Sequence, residues 1–309
     1  MAKKRPPVAL IAGPTASGKS ALALALAQAS GGVIVNADSA QLYRDLRILS
    51  AAPDASDRRR ADHRLYGVAD GASAMSAAEW ANRARHEIAG IVASGRLPIL
   101  VGGSGLYLRT LIDGIAPVPQ IDPAIREQVR GAPLEDNRVR LETLDPEASS
   151  RLGPSDQTRI ARALEVVLST GQPLSHWHGQ RHGGIGDTIS LNPLILLPPR
   201  DWLYARCDAR FVAMIDSGAI DEVAALLKRD LSSSLPVMRA IGVREIAALV
   251  CGEMTRSEAI AAGSQATRNY AKRQYTWFAR QPPAGWPRFT TALDDLSIVE
   301  ALDLLGSTD

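Results

Sequence analysis

Residues 13–20, Gly-Pro-Thr-Ala-Ser-Gly-Lys-Ser, have the composition of a loop that binds phosphate groups. The segment fits the pattern G-x-x-x-x-G-K-[ST], in which glycines let backbone N–H groups turn toward an anion. The N-terminus of a following helix adds partial positive charge. We predict that Lys19 reaches the terminal phosphates and that Ser20 binds Mg²⁺. The pattern indicates that the chain holds a di- or triphosphate, and it leaves the reaction open.

An acidic side chain begins the segment Asp38-Ser39-Ala40-Gln41, which directly follows the apolar run 33–35. Ligands of open α/β sheets bind beyond the carboxyl ends of the strands, so we expect Asp38 on the same edge as the phosphate-binding loop. A carboxylate there could act as a general base or bind Mg²⁺. The spacing fits Asp38 equally well as the N-cap of the next helix.

Two other groups of residues have types that suit a phosphate substrate. Ser104 lies in a second glycine-rich segment, 102–105, where its hydroxyl could donate to a substrate oxygen, although a tight turn explains the glycines slightly better. Arg206 and Arg210 are four apart on a predicted helix, where like charges repel, so a phosphate beside them would explain the spacing. Two arginines on a solvated face are the ordinary alternative.

A basic and aromatic tract occupies residues 267–280 and contains no acid. Its cations and rings alternate along the chain: Arg268, Tyr270, Lys272, Arg273, Tyr275, Trp277 and Arg280. Cations bind nucleic-acid phosphates and aromatic rings stack on unpaired bases, so the tract is typical of an RNA contact. A helix with its rings in the core and its cations in water is the alternative. For Arg159 and Arg162, three apart in a second basic segment, phosphate contact and surface solubility are equally good explanations.

The overall composition is that of a folded protein without a strong net charge. Apolar residues make up 46% of the 309 residues and charged residues 22%, which supports a sizeable core. The formal net charge is only +2, so a basic binding site must be local. Cys207 and Cys251 are the only cysteines, which excludes a disulfide framework and suits a reducing cytoplasm. No apolar run approaches the roughly 20 residues that span a bilayer, so we predict no membrane association.

Alternating strands and helices predict an α/β fold with a parallel sheet. Buried parallel strands are apolar without alternation, and four runs have this character: 8–12, 33–35, 99–101 and 189–197. Charged, proline-rich sequence without strand signals follows Leu111 and predicts a helical insertion at 117–187. We predict helices within it at 123–130, 134–144 and 157–168, and a loop at 171–186. The core is then 1–116 with 188–309, and its clearest helices are 77–93, 202–216, 219–228, 243–250 and 256–280.

Taken in order along the chain, these segments resemble the tRNA dimethylallyltransferase family. The resemblance covers most of the chain. It rests on the phosphate-binding loop followed by DSAQLY at 38–43, SAAEW at 76–80, GRLPILVGGSGLY at 95–107, RALEV at 162–166, RF at 210–211, RAIG at 239–242 and TRNYAKRQYTW at 267–277. No segment after the first is specific alone, but together and in this order they are highly specific.

The resemblance implies a P-loop NTPase-like α/β core with a parallel sheet and a helical insertion domain that contacts tRNA. It implies transfer of a dimethylallyl group from dimethylallyl diphosphate to the exocyclic N6 amine of the adenosine adjacent to the anticodon in certain tRNAs, releasing diphosphate. We expect that adenosine to be flipped out of the anticodon stem-loop into a channel through the core. Mg²⁺ is the implied cofactor, and tRNA and dimethylallyl diphosphate are the implied partners of a cytoplasmic monomer.

The same resemblance assigns residue roles. We expect Asp38 to be the general base on the amine, Ser104 to assist at the amine or the leaving diphosphate, and Arg210 to neutralise the diphosphate. Diphosphate is expected on Gly13, Thr15, Ala16, Ser17, Gly18, Lys19 and Ser20, with Ser20 also binding the metal. Contacts to tRNA are expected from Asp38, Ser39, Ala40, Gln41, Ser104, Arg126, Gln157, Thr158, Arg159, Ile160, Ala161, Arg268, Lys272 and Arg273.

The chain departs from the family pattern in three places. The family usually has Thr where this chain has Ser104, so the hydroxyl is retained. An aromatic residue and a Gln that are common in the family are replaced by Val243 and Glu245, and a usual lysine is missing near 50–53, so we assign no role there. Two other functions fit the phosphate-binding loop. A kinase would transfer phosphate from ATP without tRNA affinity, and a non-catalytic RNA-binding protein would be unaffected by Asp38→Asn.

Overall fold

The computed structural model describes residues 5–306, and its centre is a parallel β-sheet. Six strands lie in the order β3-β2-β4-β1-β5-β6, and each neighbouring pair is parallel. Their bounds are β1 Pro7–Ala12, β2 Val33–Asn36, β3 Asp62–Arg64, β4 Pro98–Gly102, β5 Ser190–Leu196 and β6 Arg288–Phe289. The four predicted strands are the central ones, which explains their continuous apolar sequence. The edge strands β3 and β6 were not predicted, because they are short and lack apolar runs.

Helices cover most of the rest of the described chain. They are α1 Lys19–Ser30, α2 Ala55–Arg60, α3 Ala77–Ala93, α4 Gly105–Asp113, α5 Pro123–Gly131, α6 Leu134–Leu144, α7 Pro146–Arg151, α8 Gln157–Thr170, α9 Leu174–His178, α10 Arg200–Met214, α11 Ile220–Leu227, α12 Val243–Val250, α13 Arg256–Arg280 and α14 Asp295–Gly306. Helices α3, α6, α12 and α13 begin and end at the predicted residues.

Five helices were missed, and most of them are short. The stretch 171–186 was predicted to be a loop, and this was wrong at α9. No helix was predicted at α7, which begins with Pro146, a residue type favoured at the first helical position. The side chain of Asp145 caps α7 by accepting a hydrogen bond from the N–H of Ala148 at 3.0 Å. Helices α2, α4 and α14 also lay outside the predicted elements.

Strand order brings three loops to one edge of the sheet. Strand β1 pairs with β4 on one side and with β5 on the other, so the chain reverses its direction of winding beside β1. Because all of these strands are parallel, the loops after β1, β2 and β4 leave the sheet at the same edge. Crevices at such a switch point are where ligands of doubly wound sheets bind.

The phosphate-binding loop requires glycine at two positions for different reasons. A Cβ on Gly13 would lie 2.5 Å from the carbonyl oxygen of Leu196, so β5 passes too close for a side chain. Gly18 has a φ of 95°, which L side chains rarely adopt, and it precedes the first residue of α1. Helix α1 has no side-chain cap and no acid in its first turn. Its first N–H groups therefore stay available for an anion.

The core around the loop is held from both sides of the sheet. One cluster packs α1 and α14 against the strands and includes Ile11, Leu22 and Leu305. Elsewhere, Trp80 of α3 is fully buried and donates from Nε1 to the carbonyl of Asn36 at 2.9 Å. Its ring stacks on Tyr107 with 5.0 Å between centroids. These contacts anchor the ends of β1 and β2, from which the candidate site begins.

Residues 112–185 form a compact unit of their own, and the remaining described residues form the other. The smaller unit contains α5 to α9 and has a separate apolar core with Val129, Leu141 and Leu164 at its centre. Its bounds lie within a few residues of the predicted insertion at 117–187. The assignment of separate roles to the two parts stays a prediction. Among the described helices, none combines the length and the hydrophobicity that crossing a membrane requires.

Candidate active site at the carboxyl edge of the sheet

The phosphate-binding loop lines a cavity of about 590 Å³, which we name the phosphate cavity. Loop residues Thr15, Ala16, Ser17, Gly18, Lys19 and Ser20 all contribute to its wall. Asp38, after β2, and Arg210, on α10, line the same cavity. Gly13 shapes the turn beneath it. The fold thus brings together residues from three distant parts of the chain that the sequence had associated with phosphate chemistry.

Lys19 is a partly buried cation at the start of α1. Its Nζ donates a hydrogen bond to the carbonyl oxygen of Pro14 at 2.5 Å. Burial lowers the pKa of Lys19 to about 8; the carboxylate of Asp38 opposes this shift and the charge of Arg210 adds to it. Two cations therefore share one buried site, and a bound anion would raise the pKa of Lys19 again.

We expect the affinity for inorganic diphosphate to fall as the pH rises through about 8. Below that pH Lys19 is already charged in the free site, whereas above it binding must take up a proton. Above that pH, the need to protonate Lys19 lowers the affinity for diphosphate by a factor that approaches about tenfold per pH unit. Calorimetric titrations from about pH 7 to about pH 9.5 measure it. Lys19→Arg is the matched control, since its guanidinium stays charged and the ligand titrates identically. Parallel pH profiles for the two proteins would contradict the assignment.

Asp38 is held in place by Asn36, a fully buried residue at the end of β2 that sequence reasoning missed. Asn36 accepts from the N–H of Asp38 at 2.8 Å and donates to its carbonyl at 3.0 Å. Oδ1 of Asp38 accepts from the N–H of Ala40 at 3.0 Å and so holds the turn after β2. The N-cap of the short 3₁₀ helix Ala40–Leu42 is Ser39, without a side-chain cap, so the interpretation of Asp38 as the N-cap is wrong. Asp38 also lines the phosphate cavity, and a carboxylate can serve both purposes because it has two oxygens.

Ser104 is nearly buried and contacts the residue next to Asp38. Its Oγ accepts from the N–H of Ser39 at 2.9 Å and donates to the Ser39 hydroxyl at 3.2 Å. Ser104 is absent from the linings of the phosphate cavity and of the cavity beside it. In the structure it supports the segment that carries Asp38, and a direct role at a substrate amine stays a prediction.

Arg206 and Arg210 of α10 both contact the phosphate-binding loop. Arg210 donates from Nη2 to the hydroxyl of Thr15, and Arg206 donates from Nε to the carbonyl of Ala16 at 3.2 Å. Burial lowers the pKa of Arg210 below its usual range. The interpretation of both as a solvated face is therefore wrong for Arg210. Its position fits a counter-charge for phosphate oxygens.

A second cavity, of about 500 Å³, adjoins the first, and we name it the apolar cavity. Thr15, Asp38, Ser50 and Arg210 line both cavities. The rest of the apolar cavity is largely hydrocarbon and ring, and includes Tyr43, Leu46, Leu49, Met75, Tyr107, Phe211, Met214, Ile241 and Tyr270. Burial raises the pKa of Tyr107 and Tyr270. Asp38 and Arg210 therefore lie where an anion site meets a space suited to a flat ring or a short hydrocarbon.

The basic tract on α13 has a buried and an exposed face, as the core interpretation predicts, and an RNA contact by the exposed face stays a prediction. Phe278 is buried in the core, whereas Lys272 and Arg273 are exposed. Arg273 lies over the ring of Tyr270 at 5.7 Å and lines the mouth region of the apolar cavity. Arg268 differs, because it forms an ion pair with Asp208 at 2.5 Å. Exposed cations beside the cavity fit a contact to a nucleic-acid backbone.

The insertion residues expected at tRNA have mixed exposure within their own unit. Arg126, Gln157, Thr158 and Arg159 are exposed. Ile160 is only 1% exposed and packs into the core of that unit, so its side chain supports α8 and offers no contact surface. Arg159 lies 3.4 Å from Asp156, which caps α8. Where these residues bind stays a prediction.

The oxygen donors of the phosphate cavity suit Mg²⁺. Ser20 and Asp38 both line it, and hydroxyl and carboxylate oxygens are ligands that this hard cation prefers. Within residues 5–306, no group of three or more His, Cys, Asp or Glu side chains is arranged to hold a metal. The site therefore fits an ion held by one or two protein ligands together with substrate phosphates, which is the usual arrangement for Mg²⁺.

The chain is similar to known proteins over most of its length. The sequence profile of the IPP transferase family matches residues 41–281. A tRNA dimethylallyltransferase of Erythrobacter litoralis is 61% identical and covers 93% of this chain and 92% of its own length. One of Sphingopyxis alaskensis is 59% identical over 96% of each. The crystal structure of the full-length tRNA isopentenylpyrophosphate transferase of Bacillus halodurans has a TM-score of 0.71 at 30% identity, over 98% of this chain and 96% of that chain.

Proposed function

This chain belongs to the tRNA dimethylallyltransferase family, and we propose that its two adjoining cavities hold the two substrates of the prenyl transfer. The reaction moves a dimethylallyl group from dimethylallyl diphosphate to the N6 amine of the adenosine adjacent to the anticodon in certain tRNAs. One observation carries the assignment of the cavities. Asp38 and Arg210 line both, so an acidic side chain and a counter-charge lie at their junction.

The donor's diphosphate occupies the phosphate cavity. Lys19, Arg210 and the N–H groups at the start of α1 surround the place where negative charge grows as the bond from the allylic carbon to oxygen breaks. The allylic cation is delocalised, so the bond breaks readily once the leaving diphosphate is neutralised. These charges are held in place before the reaction, and preorganised electrostatics of this kind is commonly the largest contribution to catalysis.

The acceptor adenine occupies the apolar cavity after leaving the stacked anticodon loop. Extruding a base costs about a few kcal/mol, and stacking on rings and contacts to backbone phosphates offset this cost. Tyr107 and Tyr270 offer such rings at the cavity wall. The amine nitrogen attacks the allylic carbon, and its proton passes to the carboxylate of Asp38. General-base help of this kind contributes about 10²–10⁴-fold.

Mg²⁺ held by Ser20 and by diphosphate oxygens would add neutralising charge to the leaving group. Arg210 and Lys19, which both line the phosphate cavity, orient the same diphosphate. Ser104 and Asn36 keep the Asp38–Ser39 segment in position, and we retain a contact from Ser104 to the amine as part of the proposal. We also propose that the enzyme works as a monomer in the cytoplasm.

Three surfaces are assigned to tRNA. They are the segment Asp38, Ser39, Ala40 and Gln41; the face of α13 with Arg268, Lys272 and Arg273; and the insertion residues Arg126, Gln157, Thr158, Arg159 and Ala161. Gln41 also donates to the carbonyls of Ser50 and Ala51 at 3.0 and 2.8 Å, so its amide shapes the cavity wall as well. A local basic face on a nearly neutral protein directs binding to a defined part of the RNA.

We expect Lys272→Ala combined with Arg273→Ala to weaken tRNA binding and to flatten its salt dependence. Each lost phosphate contact lowers the slope of log affinity against log salt by about 0.7–0.9. Arg268 is left intact, because its removal would leave Asp208 without its ion-pair partner and would add a second change in charge near the face. The control is Lys228→Ala with Arg83→Ala, which removes equal charge from exposed positions elsewhere. If filter binding gave the two double variants equal slopes of log tRNA affinity against log salt, the assignment of this face to tRNA would be wrong.

Incubation with unmodified tRNA and labelled dimethylallyl diphosphate tests the function, with labelled ATP as the alternative donor. We expect label in tRNA from the prenyl donor alone. Transfer of labelled phosphate from ATP to a small acceptor would support a kinase in its place. Tight tRNA binding with no transfer from either donor would support a binding protein.

A further inference from the structure

Gln274 is a buried polar side chain on α13 that the mechanism above does not use. It is 6% exposed and lies among the cations assigned to tRNA, but it is buried whereas Lys272 and Arg273 are exposed. It is absent from the linings of both cavities. A buried amide must satisfy its donor and its acceptor inside the protein, so its partners indicate what it holds.

Both ends of the Gln274 amide bind backbone at the candidate active site. Oε1 accepts from the N–H of Thr15 at 2.8 Å, and Nε2 donates to the carbonyl of Gly103 at 2.9 Å. Thr15 follows β1 and Gly103 follows β4, so the two groups are far apart in the chain and nothing in the local sequence pairs them. The approach is close: a Cβ on Gly103 would lie 2.3 Å from Nε2. Glycine at 103 is therefore what allows the amide to reach this loop.

Each of the two hydrogen-bond partners of Gln274 belongs to a loop that contacts a residue used in the proposed reaction. Thr15 lines both cavities, and its hydroxyl accepts from Arg210 on the donor side. Gly103 precedes Ser104, whose Oγ bonds Ser39, the neighbour of Asp38 on the acceptor side. The amide of Gln274 thus spans the donor loop and the loop that supports the general base.

We propose that Gln274 is a positioning residue that fixes the Thr15 loop against the Gly103–Ser104 loop, and so fixes the distance between leaving group and base. The inference rests on the proposed function, because it needs the two cavities to hold the two substrates. The group touches neither substrate. A misplacement of about 1 Å between reacting groups can lower the rate by about 100-fold. A residue that fixes this distance therefore affects kcat more than it affects substrate binding.

Two substitutions separate this role from simple packing. Gln274→Met keeps a similar volume and removes both hydrogen bonds. Gln274→Glu keeps the acceptor for the Thr15 N–H, and it regains a donor for the Gly103 carbonyl only when its carboxyl is protonated. The activity of the Glu variant, divided by that of the wild type at the same pH, should therefore rise as the pH falls from about 8.5 to about 6.

Steady-state kinetics of the full chain with unmodified tRNA and dimethylallyl diphosphate gives the test. We expect Gln274→Met to lower kcat by about 10- to 100-fold while the Kd for tRNA stays within about twofold. Gln281→Met, at the exposed end of the same helix, is the matched control and should match the wild type.

A kcat of the Met variant within about twofold of the wild type would overturn the proposal. The proposal would also be overturned if the activity of Gln274→Glu, divided by that of the wild type, did not change with pH. If circular dichroism shows that Gln274→Met does not fold, this ratio alone is the test. An inactive wild-type chain would contradict the proposed function and this inference with it. An active wild type beside an equally active Met variant would contradict the inference only.

Discussion

The Asp38→Asn variant is expected to transfer the prenyl group about 10²–10⁴-fold more slowly than the wild type while binding tRNA equally well. Asparagine keeps an oxygen that can accept from the N–H of Ala40, so the turn after β2 is retained. It has no carboxylate to take the proton from the amine. Single-turnover rates with saturating substrates measure the loss, and filter binding measures the tRNA affinity.

The matched control for Asp38 is Asp201→Asn, an exposed carboxylate in the first turn of α10. It removes the same charge without touching either cavity and should leave the rate unchanged. If Asp38→Asn kept more than about half of the wild-type rate, proton removal by this carboxylate would be excluded. That result would mean that the carboxylate of Asp38 only holds the turn after β2.

Loss of Arg210 should damage use of the donor by a comparable amount. We expect Arg210→Ala to lower kcat/KM for dimethylallyl diphosphate by about 10²–10³-fold, because a buried counter-charge at the leaving group is removed. Arg210→Lys should recover part of this, since lysine keeps the charge but lacks the planar fork that meets Thr15 and a phosphate oxygen together. Initial rates at varied donor concentration, with tRNA saturating, measure both variants.

A control variant and a tRNA-binding measurement test whether the loss of kcat/KM is specific to Arg210. Arg256→Ala removes an exposed guanidinium that pairs with Asp216, and it should leave kcat/KM for the donor unchanged. The Kd for tRNA should stay near the wild-type value in Arg210→Ala. A rise in that Kd equal to the fall in kcat/KM would mean that Arg210 serves the RNA and not the diphosphate.

The elements of this protein that follow from short stretches of sequence were predictable from sequence. The glycines, the lysine and the serine that bind phosphate in the loop at 13–20 all lie within eight consecutive residues, so the sequence alone indicates what the loop binds. The central strands are apolar because both of their faces are covered. Helix α13 is bounded by a capping box in which Thr255 and Glu258 exchange hydrogen bonds, again within one turn. Asp38 was assigned to the correct edge by the rule for parallel sheets.

What sequence could not predict depends on contacts between distant segments. Asn36 and Gln274 have no motif of their own, and their importance appears only when β2, the phosphate-binding loop and the loop after β4 are brought together. Arg268 carries the same charge as Lys272, yet an aspartate on α10 neutralises one and leaves the other exposed. Strands β3 and β6 are too short to have a pattern, and pairing with neighbouring strands creates them. Local sequence determines which residues are able to do chemistry, whereas packing determines which of them meet, because the enclosing contacts come from parts of the chain that no short window contains.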